Sequence, residues 1–209
     1  MDTGGINIEV HPATVERFDD VASLLRPRRD DASACWCLAF RLTSGEFNSL
    51  TPAQQPERLR ELCRDTPPPG VVAYLGGEPV GWCGMGPRSG MERLVRSRTI
   101  PKVDEVPVWS VVCFVVKTGH RRQGIGHALL TGVIDYARAS GAPALEAYPI
   151  DPEGSRISPT LAFVGTTGMF EGAGFRRILK TDARSGGLPR WLMRLDLQPV
   201  IEGAGTGPV

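Results

Sequence analysis

The residues best suited to chemistry form one run, Lys117-Thr118-Gly119-His120-Arg121-Arg122-Gln123-Gly124-Ile125-Gly126-His127. It follows the apolar stretch Val108 to Val116. It also opens a segment in which Ile125, Leu129, Val133 and Tyr136 recur at helical spacing. The start of a helix leaves backbone N–H groups without intrahelical partners, and the helix dipole adds partial positive charge there. Two glycines let a phosphate approach those amides where a Cβ would block it. The expected ligand is an anion such as a pyrophosphate. Two other phosphate loops fit less well. A Walker loop needs Gly-Lys-Ser/Thr, and the dinucleotide fingerprint needs a third glycine where Leu129 stands.

Groups able to move protons are sparser. Glu146 and Tyr148 fall two apart in an apolar stretch, so a strand turns both to one face. Each has an ordinary alternative: Glu146 paired with an arginine, Tyr148 packed in the core. Asp151 and Glu171 are further candidates. Cys35-Trp36-Cys37 has the look of half a zinc site, but no second Cys/His pair answers it, and no metal is expected. Cys113 reads as a buried structural thiol. Five cysteines, an odd number with no export signal before them, point to reduced thiols and a cytoplasmic protein.

The elements that must position these residues can be placed from pattern. Ile6 to Val10 alternates like a half-buried strand, and Pro12 to Leu25 is helical in spacing. Thr51-Pro52 signals the start of a second helix, which ends before Pro67-Pro68-Pro69-Gly70. Val71 to Leu75 and Val80 to Met85 flank a turn at Gly76-Gly77. A polar connection over 87–107, with a short helix near Met91 to Val95, leads to the central strand Val108 to Val116. Its nearly continuous apolar character predicts burial on both faces. A helix over Gly124 to Ser140, a strand over Ala144 to Tyr148, and a helix over Leu161 to Gly172 follow. Phe175 to Lys180 and Trp191 to Leu197 are closing strands around a loop at Asp182 to Pro189. The order β-α-α-β-β-β-α-β-α-β-β predicts one mixed sheet with helices on its faces.

A chain of 209 residues with 41% hydrophobic content can bury one full core. Its formal charge of +1 gives no field that would draw it to nucleic acid or an anionic membrane. The clusters Arg26-Pro27-Arg28-Arg29 and Arg93 to Arg98 read as solvated surface. No secretory signal is expected from Met1 to Val10. A domain over 1–198 and a disordered tail over 199–209 are expected.

The run from Val111 to Leu130 resembles motif A of the GCN5-related N-acetyltransferases (GNAT), and Met169-Phe170-Glu171-Gly172-Ala173-Gly174-Phe175 resembles the end of their motif B. The order of elements from Ile6 to Leu197 is similar as well. The resemblance implies a single α/β (α+β) domain. Its mixed, mostly antiparallel sheet would have about seven strands and about four helices, with the central strands splayed apart. It implies acetyl-CoA as cofactor and acetyl transfer to an amine, small molecule or protein, by direct attack. By position, the Phe114 N–H faces the thioester carbonyl as a single oxyanion donor. Val116 bonds the pantetheine arm, and Arg122, Gln123, Gly124, Ile125, Gly126 and His127 wrap the pyrophosphate. Val115, Arg121 and Phe170 complete the cofactor contacts. Cys35-Trp36-Cys37-Leu38, Trp109, Ser110 and Gly186 to Arg190 fall where related proteins shape the acceptor cleft, with Trp36 as a wall of it or, equally, a plug over the core. Two positions depart from the pattern. The tyrosine that many members use as acid is Phe170, and the usual base position is Ser110, so Glu146 and Tyr148 are the substitutes. Proton transfer through water, with positioning as the main contribution, is the rival. A CoA-binding sensor or protein-interaction module without catalysis stays open, as do a longer acyl group and a homodimer.

Overall fold

Alternating apolar and polar residues set β1 (Ile8–Pro12) beside β2 (Gly70–Leu75), antiparallel, from Ile8 opposite Leu75 to Pro12 opposite Val71. A computed structural model describes residues 7–27, 34–155, 157, 158 and 161–197. Ile6, Arg28, Arg29 and the tail from Pro199 lie outside these, and so does the expectation of disorder there. β2 turns into β3 (Glu78–Pro87) through Gly76 and Gly77, whose φ of 58° and 82° suit a two-residue hairpin between right-twisted strands. The central strand is β4 (Trp109–Val116), followed by α5 (Ile125–Ala139) and β5 (Ala144–Ala147). Two long strands, β6 (Arg176–Ser185) and β7 (Leu188–Asp196), close the sheet. The seven strands run in the order β1-β2-β3-β4-β5-β7-β6, and β4–β5 is the parallel pair, with α5 as its crossover.

Helices cover both faces. Alternation on β2 sends Val71 and Ala73 toward Ile125, Leu129 and Val133 of α5, and Val72 toward the opposite face. There it meets Phe18, Val21 and Ala22 of α1 (Phe18–Leu25) and Leu59 of α3 (Gln54–Leu62). Between these two helices lies α2 (Ser44–Ser49), and α4 (Glu92–Val95) interrupts the connection before β4. The helix α5 lies close on β3 because Gly81 has no side chain. A Cβ there would stand 2.7 Å from Ile125 Cγ2. Gly81→Ala should therefore cost about 1–3 kcal/mol, the range for overpacking. Urea unfolding would check this, and an unshifted midpoint would mean the helix can step back freely.

Several boundaries differ from expectation, each for a local reason. The first helix arrives in two pieces, a 3₁₀ turn at Val15–Arg17 and then α1. Thr51 Oγ1 accepts from Gln54 N at 3.3 Å, and α3 proper begins only there. The expected helix over Leu161 to Gly172 is broken at Gly165, whose φ of 75° cannot continue it. A 3₁₀ turn at Ala162–Val164 precedes the break, and α6 (Thr167–Gly172) follows. The loop expected over Asp182 to Pro189 is instead the end of a hairpin. β6 and β7 continue to a turn at Gly186-Gly187. Among the described residues no helix is long and apolar enough to cross a membrane.

Candidate active site

β4 and β5 pair over three positions only, Trp109 with Leu145, Ser110 with Glu146 and Val111 with Ala147. Beyond them β4 runs on to Val116 while the chain after Ala147 turns toward β7, where Ile150 bridges Arg190. A wedge opens between the two strands. On the β3 side of β4 the register slips, since Gly84 faces Cys113 but Met85 faces Val111, leaving Val112 as a bulge. The extra residue reverses parity. Trp109 and Val111 share the α5-side core with Phe114 and Val116, while Val112 joins the cluster on the other face.

The main chain at the wedge is oriented by its hydrogen bonds. Lys117 donates its N–H to Val80 O at 2.9 Å, so this amide points to β3. Amides two apart on a strand point the same way, which turns those of Val115 and Cys113 toward β3. The amides of Phe114 and Val116 then point to the edge that β5 has left. The loop after Val116 folds tightly. His120 donates its N–H to Lys117 O at 3.0 Å, Gln123 Nε2 donates to Gly119 O at 3.1 Å, and Arg122 has φ 61°. Gly124 has φ 82°, and a Cβ built on it meets no atom within 4 Å. Its missing side chain faces open space at the end of α5. The first amide with an acceptor in the helix is that of Ala128, bonded to Gly124 O at 3.0 Å, so those of Ile125, Gly126 and His127 are directed out of the helix end. Arg121, Arg122, Gln123 and His127 are exposed around it.

Opposite β4, the wedge is bounded by the 3₁₀ turn at Ala162–Val164 and by α6. Phe170 stands there fully buried, its ring edge-on to Phe114 at 6.0 Å and to Phe175 at 5.0 Å.

A family model for the acetyltransferase (GNAT) family matches residues 35–153, from the Cys35-Trp36-Cys37 turn through the whole of the wedge and its glycine loop. The chain belongs to this family. It is an acetyl-CoA-dependent acyltransferase. Solved structures that this acetyltransferase resembles include an N-acetyltransferase from Staphylococcus aureus Mu50, at 15% identity and TM-score 0.54, over 92% of this chain and 99% of that one. The PaiA N-acetyltransferase from Thermoplasma acidophilum in complex with coenzyme A matches at 12% identity and TM-score 0.51, over 91% of this chain and 99% of that one. A ribosomal-protein-alanine N-acetyltransferase from Brucella melitensis matches at 19% and 0.53, over 90% and 99%. Likeness at these identities establishes the fold alone. Among curated protein sequences no relative is found.

The residues of this acetyltransferase fit the cofactor: a strand edge with no strand partner among the described residues for an amide-bearing arm, and a helix end with an empty glycine position for a diphosphate. Behind the wedge, on the face away from α5, lies a buried polar network. Tyr148 donates its hydroxyl to Glu146 Oε2 at 3.1 Å, accepts from Arg88 Nη1 at 3.0 Å and shares a 2.9 Å bond with Ser110 Oγ. Glu146 Oε1 accepts from Arg194 Nε and Nη2 at 3.2 and 2.6 Å, and Arg88 Nη1 reaches Oε2 at 3.4 Å. The four lone-pair positions of this carboxylate are thus all in use. Arg194 also holds Asp104, and chiefly this bond, with Glu146 in addition, raises its guanidinium above the ordinary range. Burial, and then the charge on Glu146, push the Tyr148 phenol well above its usual value.

The other expected residues are scattered. Trp36, expected at an acceptor wall, is 5% exposed and packs in the core with Trp82, Leu38 and Phe18. Trp36 and Cys37 both carry positive φ, a tight turn that tucks the indole inward and sets Cys37 Sγ to accept from Trp82 Nε1 at 3.0 Å. Ser110 is fully buried beneath Tyr148. Asp151 and Glu171 meet on Arg177 instead of facing the wedge. The residues that sequence reasoning missed are Arg88, Arg194 and Asp104. Their only signal was an isolated charge within an apolar strand, at Glu146 and at Arg194.

Proposed function

We propose that the chain transfers an acetyl group from acetyl-CoA to the amine of a small molecule by direct attack at the mouth of the β4–β5 wedge. The supporting observation is the parting of β4 from β5 after Val111 and Ala147, which leaves the Phe114 and Val116 amides on an open edge leading into the glycine loop. When bound, acetyl-CoA supplies an acetyl group activated as a thioester. The Phe114 N–H, directed to the open edge, would hold the thioester carbonyl and supply one fixed donor for the charge that forms on it. Val116 would hold the arm through its amide, whereas Val115, expected beside it, has its main-chain groups turned to β3; the amides of Arg122 to His127, with the Arg121 and Arg122 side chains beside them, would grip the diphosphate. The Phe114 and Phe170 rings keep water from the reacting carbon.

Glu146 and Tyr148 enter this reading as positioning residues. Both are 1% exposed and bonded to one another, and they fix the wall from which β5 diverges. The protons of the amine and of the leaving thiol pass through water. Tyr148→Phe should then reduce kcat by less than about tenfold, and it should leave the pH profile of kcat unshifted. A missing limb of that profile would make Tyr148 the acid.

A small acceptor is favoured by a cavity of about 330 Å³ on the face opposite α5. Calorimetry with acetyl-CoA, followed by thiol release on a panel of amines, tests the whole reading. Binding without release on any amine would favour a CoA-binding module, and absence of binding would end the proposal.

A further inference from the structure

Arg190, on β7, is 7% exposed. Its Nε donates to Tyr148 O at 2.7 Å, but its Nη2 is buried and has no partner among the described residues. Among the described residues no carboxylate lies within ion-pair distance of it. Burial pushes the guanidinium down to about 10, opposed by the Tyr148 phenol. Among the described residues its charge is not met as those of Arg88 and Arg194 are. A buried cation without a counter-charge is costly to keep, and it invites one from outside.

The place of Arg190 says where that partner would come from. Leu192, two residues on, packs with Val112 and Tyr148, so Arg190 also lies on the face opposite α5. Its bond to Tyr148 and its bridge to Ile150 set it just beyond the point where β5 leaves β4. It lines the cavity of about 330 Å³, together with Arg93, Arg184, Ser97, Thr99 and one acid, Asp182. Arg93 Nη2 is engaged with Ser44 Oγ at 2.8 Å and Arg184 Nη1 with Gly187 O at 2.7 Å, both at exposed side chains. Arg190 is the buried one, with an Nη group to give.

We infer that the acceptor amine also carries a carboxylate, which Arg190 takes through its Nη edge while the amine points toward the open edge of β4. This rests on the acyl-transfer reading above. The planar fork of a guanidinium matches the two oxygens of a carboxylate. Asp182 at the same cavity opposes a dianion such as phosphate more than it opposes a monoanion. The size of the cavity suits an amino acid or a compound like it.

The test reads Arg190 directly. Arginine Nε–H spectra of the whole ¹⁵N-labelled chain would be recorded with N-acetylglycine, with N-acetylglycinamide and with inorganic phosphate, each up to about 20 mM, suited to millimolar affinity. The Arg190 signal is assigned by its loss in Arg190→Lys. It should move with the acid and not with the amide. Equal movement with both, no movement with either, or a larger response to phosphate would overturn the carboxylate assignment. Should Arg190→Lys not fold, the contrast between acid and amide in the unaltered protein still decides, as a signal that follows one and not the other. In acetylation assays glycine and β-alanine should exceed their amides at least about tenfold in kcat/KM, and Arg190→Lys should remove most of that preference. Calorimetry with acetyl-CoA on the same samples separates the two readings. Cofactor binding with no carboxylate response sinks the acceptor class alone, whereas no cofactor binding sinks acyl transfer itself.

Discussion

Replacing Glu146 by glutamine should lower the stability of the protein by about 3 kcal/mol, the lower end of the cost of breaking a buried ion pair. Arg88 and Arg194 are 7% and 8% exposed, and Glu146 is the negative charge between them. Arg194 would retain Asp104, and Arg88 would retain Tyr148 and the carbonyls of Leu94 and Ile100, at 3.3 and 3.1 Å. Those remaining bonds keep the estimate at the low end. For a chain of this size a loss of 3 kcal/mol corresponds to a fall in Tm of roughly 6–12 °C. Thermal unfolding beside steady-state kinetics checks it. An unchanged Tm with turnover abolished would assign Glu146 to proton transfer and remove it from the scaffold.

The second large effect is on the cofactor. Gly124→Glu should weaken CoA binding by about a hundredfold or more, on the order of 3 kcal/mol, because a carboxylate would occupy the space proposed for the diphosphate. Gly124 has φ 82°, so any side chain there strains the backbone, by about 1–2 kcal/mol. Gly124→Ala measures that strain alone, since its Cβ meets nothing within 4 Å. The difference between the two variants in calorimetry isolates the charge and bulk. Equal CoA affinity in both would place the diphosphate elsewhere.

The parts of this molecule that could be read in advance are those whose signal is local. β4 and its loop were legible because an apolar run, interrupted at Ser110 alone, meets glycines at the start of an amphipathic helix, and both facts lie within twenty residues. α2 was missed although Thr43 and Glu46 form a reciprocal capping box, the one local sign it carries. Six residues without apolar periodicity leave little else to find. The ends of β6 and β7 read as loop because β6 is an edge strand with most side chains in water, and of its last residues only Thr181 and Ala183 turn inward, too polar and small to mark a strand. The Arg88–Glu146–Arg194 cluster was beyond local reasoning. Its members stand 58 and 48 positions apart and meet only through the crossover and the closing hairpin. Trp36 shows the same limit in reverse, since an indole between two cysteines gave no sign of whether its turn would tuck inward or out.

The short seam between β4 and β5 divides the sheet into two plates, of four strands and three, joined by three facing pairs of residues and the crossover helix. Arg88 at the end of one plate and Glu146 with Arg194 on the other rivet that seam at its narrow end. The ion pairs thus tie the plates together where β4 and β5 still pair, and the strands part only beyond that tie.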